Sequence, residues 1–173
     1  MKQLLIILGF TLMLGCKETP KDTLAANTNS ATAITLDEGV IINMDGKTYV
    51  LPQDELFPVN VKTQSDSLNY ALRTNKSDVS LNLNLINTGI IKKKSHAFKI
   101  PEDIKKSFLI GLSFFNKSKD VSRLNKRIVF RKGTIDIKEV TESTLKVIFE
   151  GEGSGMRDIK NSFPISGSVN IKY

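Results

Sequence analysis

Residues 79–85 read Val-Ser-Leu-Asn-Leu-Asn-Leu, a strict alternation of apolar and polar side chains. Successive side chains of a β-strand point to opposite faces of a sheet, so this segment predicts a strand with one buried face and one face of Ser and Asn. Antiparallel sheets commonly keep one face in water, whereas parallel sheets are covered on both. The alternation therefore predicts an antiparallel sheet with one hydrated face.

A β-hairpin is predicted from two apolar runs, residues 40–44 and 47–51, on either side of Asp45-Gly46. Asp-Gly tolerates the positive φ angles that both central residues of a type I′ turn require. Pro52 has no backbone N–H to donate to a neighbouring strand, so we expect it to end the second strand.

The rest of the chain shows strand patterns and no long helical period. Alternating apolar residues predict strands at 108–114, 128–140, 145–149 and 163–173. Residues 56–62 are a weaker strand candidate, and residues 68–72 are left open between a strand and a helical turn. These elements predict one all-β domain, either an antiparallel β-sandwich or an open barrel.

Three local features qualify this prediction. In 128–140 the apolar residues change from even to odd positions, which needs one extra residue, so we expect a β-bulge at Lys132-Gly133. Residues 87–106 are expected to be rich in loops, with a short helix beginning at Pro101 as an alternative. The glycine-rich run Gly151–Gly155 is expected to be a flexible connection between two strands.

The first sixteen residues have the layout of a secretory signal. Lys2 gives a positive start, residues 3–15 form an apolar run, and Gly15-Cys16 ends it. The run is about half the ~20 apolar residues that a membrane-spanning helix needs. We therefore expect it to be removed, leaving a working protein that begins at Cys16.

The stretch Leu12-Met13-Leu14-Gly15-Cys16 resembles the lipobox of bacterial lipoproteins, although that family usually has Leu where Met13 stands. The resemblance implies that Cys16 is acylated and anchors the protein in a lipid bilayer, because several acyl chains hold a protein stably where one does not. Lys17, in place of the aspartate associated with inner-membrane retention, implies the outer membrane, on its periplasmic or surface face. The expected organisation is a signal peptide at 1–15, the acylated cysteine and a flexible tether at 16–35, and a β-domain at 36–173.

The β-domain itself resembles small β-rich bacterial lipoproteins of unassigned function. That resemblance depends on Asn43-Met44-Asp45-Gly46-Lys47, on Gly133-Thr134-Ile135 and on Ser166-Gly167. This resemblance implies the all-β fold but does not imply any particular activity.

Positive charge is concentrated in one third of the chain. The formal net charge is +7, and it becomes +6 once Lys2 leaves with the signal. Residues 91–132 hold thirteen Lys or Arg against three acids, a net +10 that leaves −4 for the remainder. A patch of one sign attracts partners of the other sign. We therefore predict binding of an anionic partner through Lys92, Lys93, Lys94, Lys99, Lys105, Lys106, Lys126, Arg127, Arg131 and Lys132, with Lys117, Lys119 and Arg123 in the same segment.

Catalytic chemistry has few candidates in this sequence. His96 is the only histidine and Cys16 the only cysteine, so a Ser–His–acid triad would have to use His96, which is expected in a lysine-rich loop. Structural zinc prefers Cys and His, and a phosphate-binding glycine loop needs a helix after it, whereas Gly151–Gly155 leads into a strand. The sequence predicts no metal, no cofactor and no catalytic residue. Carboxylates that could serve a hydrolase are Asp136, Glu139, Glu142, Glu150 and Glu152.

Three functional hypotheses follow. The first is a non-enzymatic, lipid-anchored module that binds an anionic envelope component or an acidic partner protein; secretion argues against nucleic acid. The second is an open barrel that carries an apolar ligand lined by Phe108, Phe114, Phe130 and Phe149. The third, a hydrolase using surface carboxylates, has the least support in the sequence.

Overall fold

The computed structural model describes residues 38–59, 61–64, 66–104 and 109–173. Ten strands lie in this part of the chain, with one short α-helix, α1 (Ile90–Lys93), and two 3₁₀ turns at Gln53–Glu55 and Arg123–Asn125. The strands are β1 (Gly39–Met44), β2 (Lys47–Pro52), β3 (Lys62–Gln64), β4 (Ser67–Leu72), β5 (Val79–Ile86), β6 (His96–Ile100), β7 (Leu109–Asn116), β8 (Arg127–Val140), β9 (Thr144–Gly155) and β10 (Asp158–Lys172).

The strands form one antiparallel sheet in the order β2-β1-β10-β9-β8-β7-β5-β4-β3. The sheet curls into a half-barrel, and its apolar face becomes the core. The predicted all-β, antiparallel class is confirmed. The curl brings β4 towards β10, where the Tyr70 and Tyr173 rings meet edge to face with centroids 5.7 Å apart.

The two strongest local predictions are confirmed. Strands β1 and β2 pair in register around Asp45 and Gly46, whose φ angles are 52° and 69°. In β5 every odd residue from Val79 to Leu85 is buried, while the polar residues between them are only half-buried. The segment 68–72, left open between strand and helical turn, forms β4. In contrast, residues 57–59 lie outside any strand, so the strand predicted at 56–62 was wrong there.

Strand β8 divides its pairing between two neighbours. Its first residues pair with β7 from Ser113 to Phe115, and residues 133–137 pair with β6, while β9 follows its other edge. The predicted bulge is present, one residue earlier than expected: Arg131 is the extra residue between Phe130 and Lys132. A second register shift at Lys138 returns the buried positions to even numbers.

The glycine run at 151–155 was predicted to be a flexible connection, and this was wrong. All five residues belong to β9, and the turn lies beyond them at 156–157. A side-chain Cβ at Gly151 would stand 2.0 Å from the Lys132 carbonyl oxygen, and one at Gly153 would stand 2.2 Å from Ile165. These glycines therefore allow neighbouring backbone and side chains to approach closely in the curled part of the sheet.

The region 87–104 is more ordered than a loop-rich prediction implies. It contains α1 and strand β6, and residues 101–103 form a turn in place of the alternative helix beginning at Pro101. Strand β6 exists because Phe98 and Ile100 are buried against β8, opposite Ile135 and Gly133.

The aromatic residues predicted to line a ligand cavity lie in the core. Phe114, Phe130 and Phe149 are at most 5% exposed. The Phe149 ring lies 5.8 Å from that of Phe114 and 6.4 Å from that of Phe130, measured between centroids. Phe108 lies outside the described residues. The three described rings pack against one another, as core residues do.

Candidate anion-binding surface

The lysines of α1 are fixed at one end of β8. Ile90 is fully buried and attaches the helix to the core, whereas Lys92 and Lys93 are exposed. Lys94 closes the helix, and its carbonyl accepts a hydrogen bond from the Val140 N–H at 2.9 Å. The three lysines of this segment therefore lie near the C-terminal end of β8.

The middle of β8 carries the next cations. Lys99 lies on β6 beside Thr134 of β8, with its side chain exposed. Lys132 is exposed directly after the bulge. The bulged Arg131 is half-buried, and its guanidinium donates to Ser154 Oγ at 3.3 Å and to a backbone carbonyl of the β9–β10 turn.

The other end of β8 meets the loop that joins it to β7. The Arg127 guanidinium lies 5.4 Å from the centre of the Phe115 ring, close enough for a cation–π contact. Lys126 donates through Nζ to the Ser118 carbonyl, and its own carbonyl accepts from the Asn116 N–H at 2.9 Å. This loop also carries exposed cations at Lys117, Lys119 and Arg123.

The structure thus places the predicted cations along the course of β8, and we call this set the basic stripe. A strand of fourteen residues spans roughly 45 Å. The stripe therefore extends over a distance that a single small ion cannot cover. Its members are Lys92, Lys93, Lys94, Lys99, Lys117, Lys119, Arg123, Lys126, Arg127, Arg131 and Lys132.

Among the described residues, carboxylates pair with lysines outside the stripe, one of which, Lys138, also lies on β8. Within the described part of the chain, four ion pairs form, and they use Lys76, Lys138, Lys146 and Lys172. None of the eleven side chains of the basic stripe takes part in an ion pair among those residues. Where stripe side chains do have partners, these are a ring face, a hydroxyl and backbone carbonyls.

Acidic residues lie on both sides of the stripe: the Asp103 carboxylate accepts from the Lys99 backbone N–H at 2.6 Å, and Asp120 follows Lys119 in the loop before β8. Glu152 of β9 lies opposite Lys132 in the ladder, and Glu150 lies opposite Thr134. Asp136 is already paired with Lys138, and Glu139 with Lys146 at 2.7 Å.

A polar cleft of about 710 Å³ opens beside the loop end of the stripe, on the outer face of β4, β5 and β7. Its floor is formed by polar residues of the alternating strands, including Asn82 and Ser80, and its rim carries Arg73, Lys117 and Lys126. None of the described residues that line it bears a carboxylate. The lining consists of Pro58, Asn69, Ala71, Leu72, Arg73, Ser80, Asn82, Phe115, Asn116, Lys117 and Lys126.

Arg73 is the site residue that sequence reasoning missed. It lies between β4 and β5, outside the basic segment, and its guanidinium lies 5.3 Å from the centre of the Phe57 ring. The β4–β5–β7 pairing brings it to the same cleft as Lys117. The register of these alternating strands is the only signal that could have joined the two positions.

The candidate catalytic groups are dispersed. His96 is an exposed residue of β6 rather than a loop residue, and its ring meets the Phe98 ring edge to face at 4.6 Å. Among the residues that the structure describes, no three of His, Cys, Asp or Glu are grouped so that they could hold a metal ion. Asp136 and Glu139 are engaged with lysines, as above.

Three predicted site residues, Cys16, Lys105 and Lys106, lie outside the described residues. In the described ranges, no helix is long and apolar enough to cross a membrane.

Comparison with known proteins adds no relative. No protein family matches the chain, and neither a curated protein nor a solved structure matches it.

Proposed function

We propose that the protein is a lipid-anchored, non-enzymatic binding module of the bacterial cell envelope, attached through Cys16. Its partner is an anionic envelope component or an acidic protein, which it binds along the basic stripe. The observation that carries this proposal is the absence of carboxylate partners for the eleven described stripe cations, while four lysines elsewhere are paired.

Electrostatics explains why such an arrangement favours a partner. Like charges held near one another repel, and a partner of opposite sign removes that cost. An incoming anion would not have to break an ion pair within the protein before it binds. Since the charges follow β8 over roughly 45 Å, the partner best suited to them carries several negative groups.

The proposed location of the protein in the cell envelope restricts which anions it can meet. A lipidated envelope protein meets lipid headgroups, lipopolysaccharide phosphates and acidic glycans at high local concentration, because the tether restricts it to the membrane surface. The amides and hydroxyls of the polar cleft add hydrogen-bonding groups next to Arg73 and Lys117. Such groups suit a partner that combines negative charge with neutral polar atoms.

The proposal is tested by binding to inorganic polyphosphate over a series of salt concentrations. The stripe variant replaces Lys92, Lys93 and Lys94 with Glu, and the matched control replaces Lys76, Lys146 and Lys172 with Glu, so both change the net charge by the same amount. Affinity of the unaltered protein should fall steeply with salt, as it does for any partner bound through several phosphates.

We expect the stripe variant to bind at least tenfold more weakly at 0.1 M salt and to show a shallower salt dependence. The control should stay within about threefold of the unaltered protein, because long-range attraction alone is screened beyond ~10 Å at 0.1 M salt. Equal losses in both variants, or no loss in either, would show that the stripe is not the binding surface.

The two alternative functions have weaker support. Of the four phenylalanines in the carrier hypothesis, Phe108 lies outside the described residues, while Phe114, Phe130 and Phe149 fill the core and do not line the polar cleft. The hydrolase hypothesis needs two carboxylates placed on either side of a substrate. Asp136 and Glu139 are instead each paired with a lysine.

A further inference from the structure

A second cleft, of about 800 Å³, lies at the α1 end of β8, between the edge of β4, helix α1 and the turn after β8. We call it the apolar cleft. Clefts of this size commonly hold small ligands, and in curled sheets they often lie at the mouth of the barrel. Its aliphatic lining is formed by Pro58, Val59, Val61, Leu68, Ile91 and Val140.

The tyrosine hydroxyls beside the apolar cleft are already satisfied. Tyr173 donates its hydroxyl proton to the Thr141 carbonyl at 2.8 Å, and the Tyr70 and Tyr173 hydroxyls lie 3.1 Å apart. Burial raises the pKa of Tyr70, so its hydroxyl stays neutral. These two hydroxyls therefore do not need a hydrogen bond from a molecule that enters the cleft.

The apolar cleft has two charged lining residues, Lys94 and Glu142. Lys92 and Lys93 do not line it, but both are exposed on the same short helix that ends at Lys94. Six aliphatic lining residues together with Lys94, and two more lysines nearby, match a molecule that joins a hydrocarbon chain to an anionic head.

Further apolar surface lies at the same end of the sheet. Ile86 and Leu109 are cross-strand neighbours on β5 and β7, and they are 38% and 46% exposed. Ile86 ends β5 four residues before α1 begins. Exposed apolar side chains next to lysines are typical of surfaces that lie at a membrane interface.

The chain also enters the described domain at this end. Glu38, the first described residue, pairs with Lys172, which directly precedes Tyr173 of the apolar cleft. Residues that lead back towards Cys16 therefore join the domain beside the cleft. A tether to a membrane anchor would therefore start at this end of the domain, rather than at the β9–β10 turn.

We propose that the α1 end of the domain docks on the bilayer, where the apolar cleft takes up an acyl chain of an anionic phospholipid and Lys92, Lys93 and Lys94 bind its phosphate. This inference rests on the proposed function, since it names the lipid headgroup as the anion. It adds the acyl chain and the orientation of the domain, which anion binding alone does not imply.

The first test measures sedimentation with vesicles. The full-length chain carries Cys16→Ser, which removes the acylation site, and vesicles contain phosphatidylcholine alone or with phosphatidylglycerol. The cleft variant adds Val59→Asn and Ile91→Asn; the control adds Ile148→Asn and Ile159→Asn, two apolar residues that are 49% and 69% exposed elsewhere. All of these proteins share the same first 37 residues, so any contribution of residues 1–37 to vesicle binding is the same in each.

We expect the cleft variant to bind phosphatidylglycerol vesicles at least tenfold more weakly than the control, since it loses two apolar contacts with the acyl chain. Its binding to polyphosphate should stay within twofold. Equal vesicle binding in both variants would overturn the inference while leaving the proposed function standing. If the unaltered protein did not bind polyphosphate at all, that result would instead overturn the proposed function.

A second measurement does not depend on how the cleft variant folds. With Cys16 replaced, the chain has no cysteine, so Glu142→Cys or Ile159→Cys provides a single attachment point for a polarity-sensitive fluorophore. Glu142 lines the apolar cleft, and Ile159 lies near the start of β10 at the opposite end. A blue shift with phosphatidylglycerol vesicles is expected at residue 142 only; equal shifts at both positions, or a larger one at 159, would overturn the orientation.

Discussion

The described lysines inside and outside the basic stripe differ in whether a carboxylate pairs with them. Lys76, Lys138, Lys146 and Lys172 each have a carboxylate partner. The described cations of the stripe have none, although β9 carries Glu150 and Glu152 nearby. Local pairing adds a little stability to a fold, whereas unpaired charge of one sign adds attraction for a partner. This difference supports the proposed role of the basic stripe in anion binding, although Lys138, a paired lysine, also lies on β8.

The largest expected effect comes from the backbone beneath the stripe. Gly133 has φ 131°, and a Cβ there would stand 2.2 Å from the Glu150 carbonyl oxygen and 2.6 Å from Gly151 Cα. Gly133→Ala should therefore lower the free energy of unfolding by about 2–5 kcal/mol, through backbone strain and overpacking. Urea unfolding measures it.

Gly46→Ala is the matched control, because Gly46 also has a positive φ but no atom lies within 4 Å of its Cβ position. It should cost about 1 kcal/mol, the cost of a left-handed Ala alone. Similar losses in the two variants would show that close packing between β8 and β9 does not support the stripe.

A smaller effect is expected when one paired and one unpaired lysine, both exposed on strands, are each replaced by glutamine. Lys146→Gln removes the partner of Glu139 and should lower the free energy of unfolding by about 0.5 kcal/mol. Lys99→Gln removes a stripe cation without an ion pair, so its stability should be unchanged or slightly higher, while polyphosphate affinity falls about twofold. Urea unfolding at low salt and polyphosphate titration separate the two. The comparison would fail if both substitutions changed stability and affinity alike.

Patterns within a few residues of one another predicted much of the fold. The alternation in β5 reveals a strand because one face of this sheet is buried, and Asp45-Gly46 reveals a turn because few residues accept two positive φ angles. The change of parity in β8 predicted an extra residue within one position of Arg131. Each signal depends only on local geometry.

Contacts between distant parts of the chain were not predictable in this way. Strand β6 is short and flanked by lysines, and it exists because β8, more than thirty residues later, covers Phe98. A run of glycines is compatible with a flexible loop or with a closely packed strand, and only the approach of Lys132 and Ile165 decides for the strand. The polar and apolar clefts likewise join residues from separate elements, which the charge count of one segment cannot show.

The binding surface itself is tested most directly by ¹H–¹⁵N NMR during titration with polyphosphate at low salt. We expect the largest amide shifts to follow the basic stripe, at Lys92–Lys94, Lys99, Lys117 and Arg127–Lys132, with little change around Lys76, Lys146 and Lys172. Shifts spread equally over both sets of lysines, or concentrated at the paired ones, would contradict the assignment of anion binding to β8 and its neighbours.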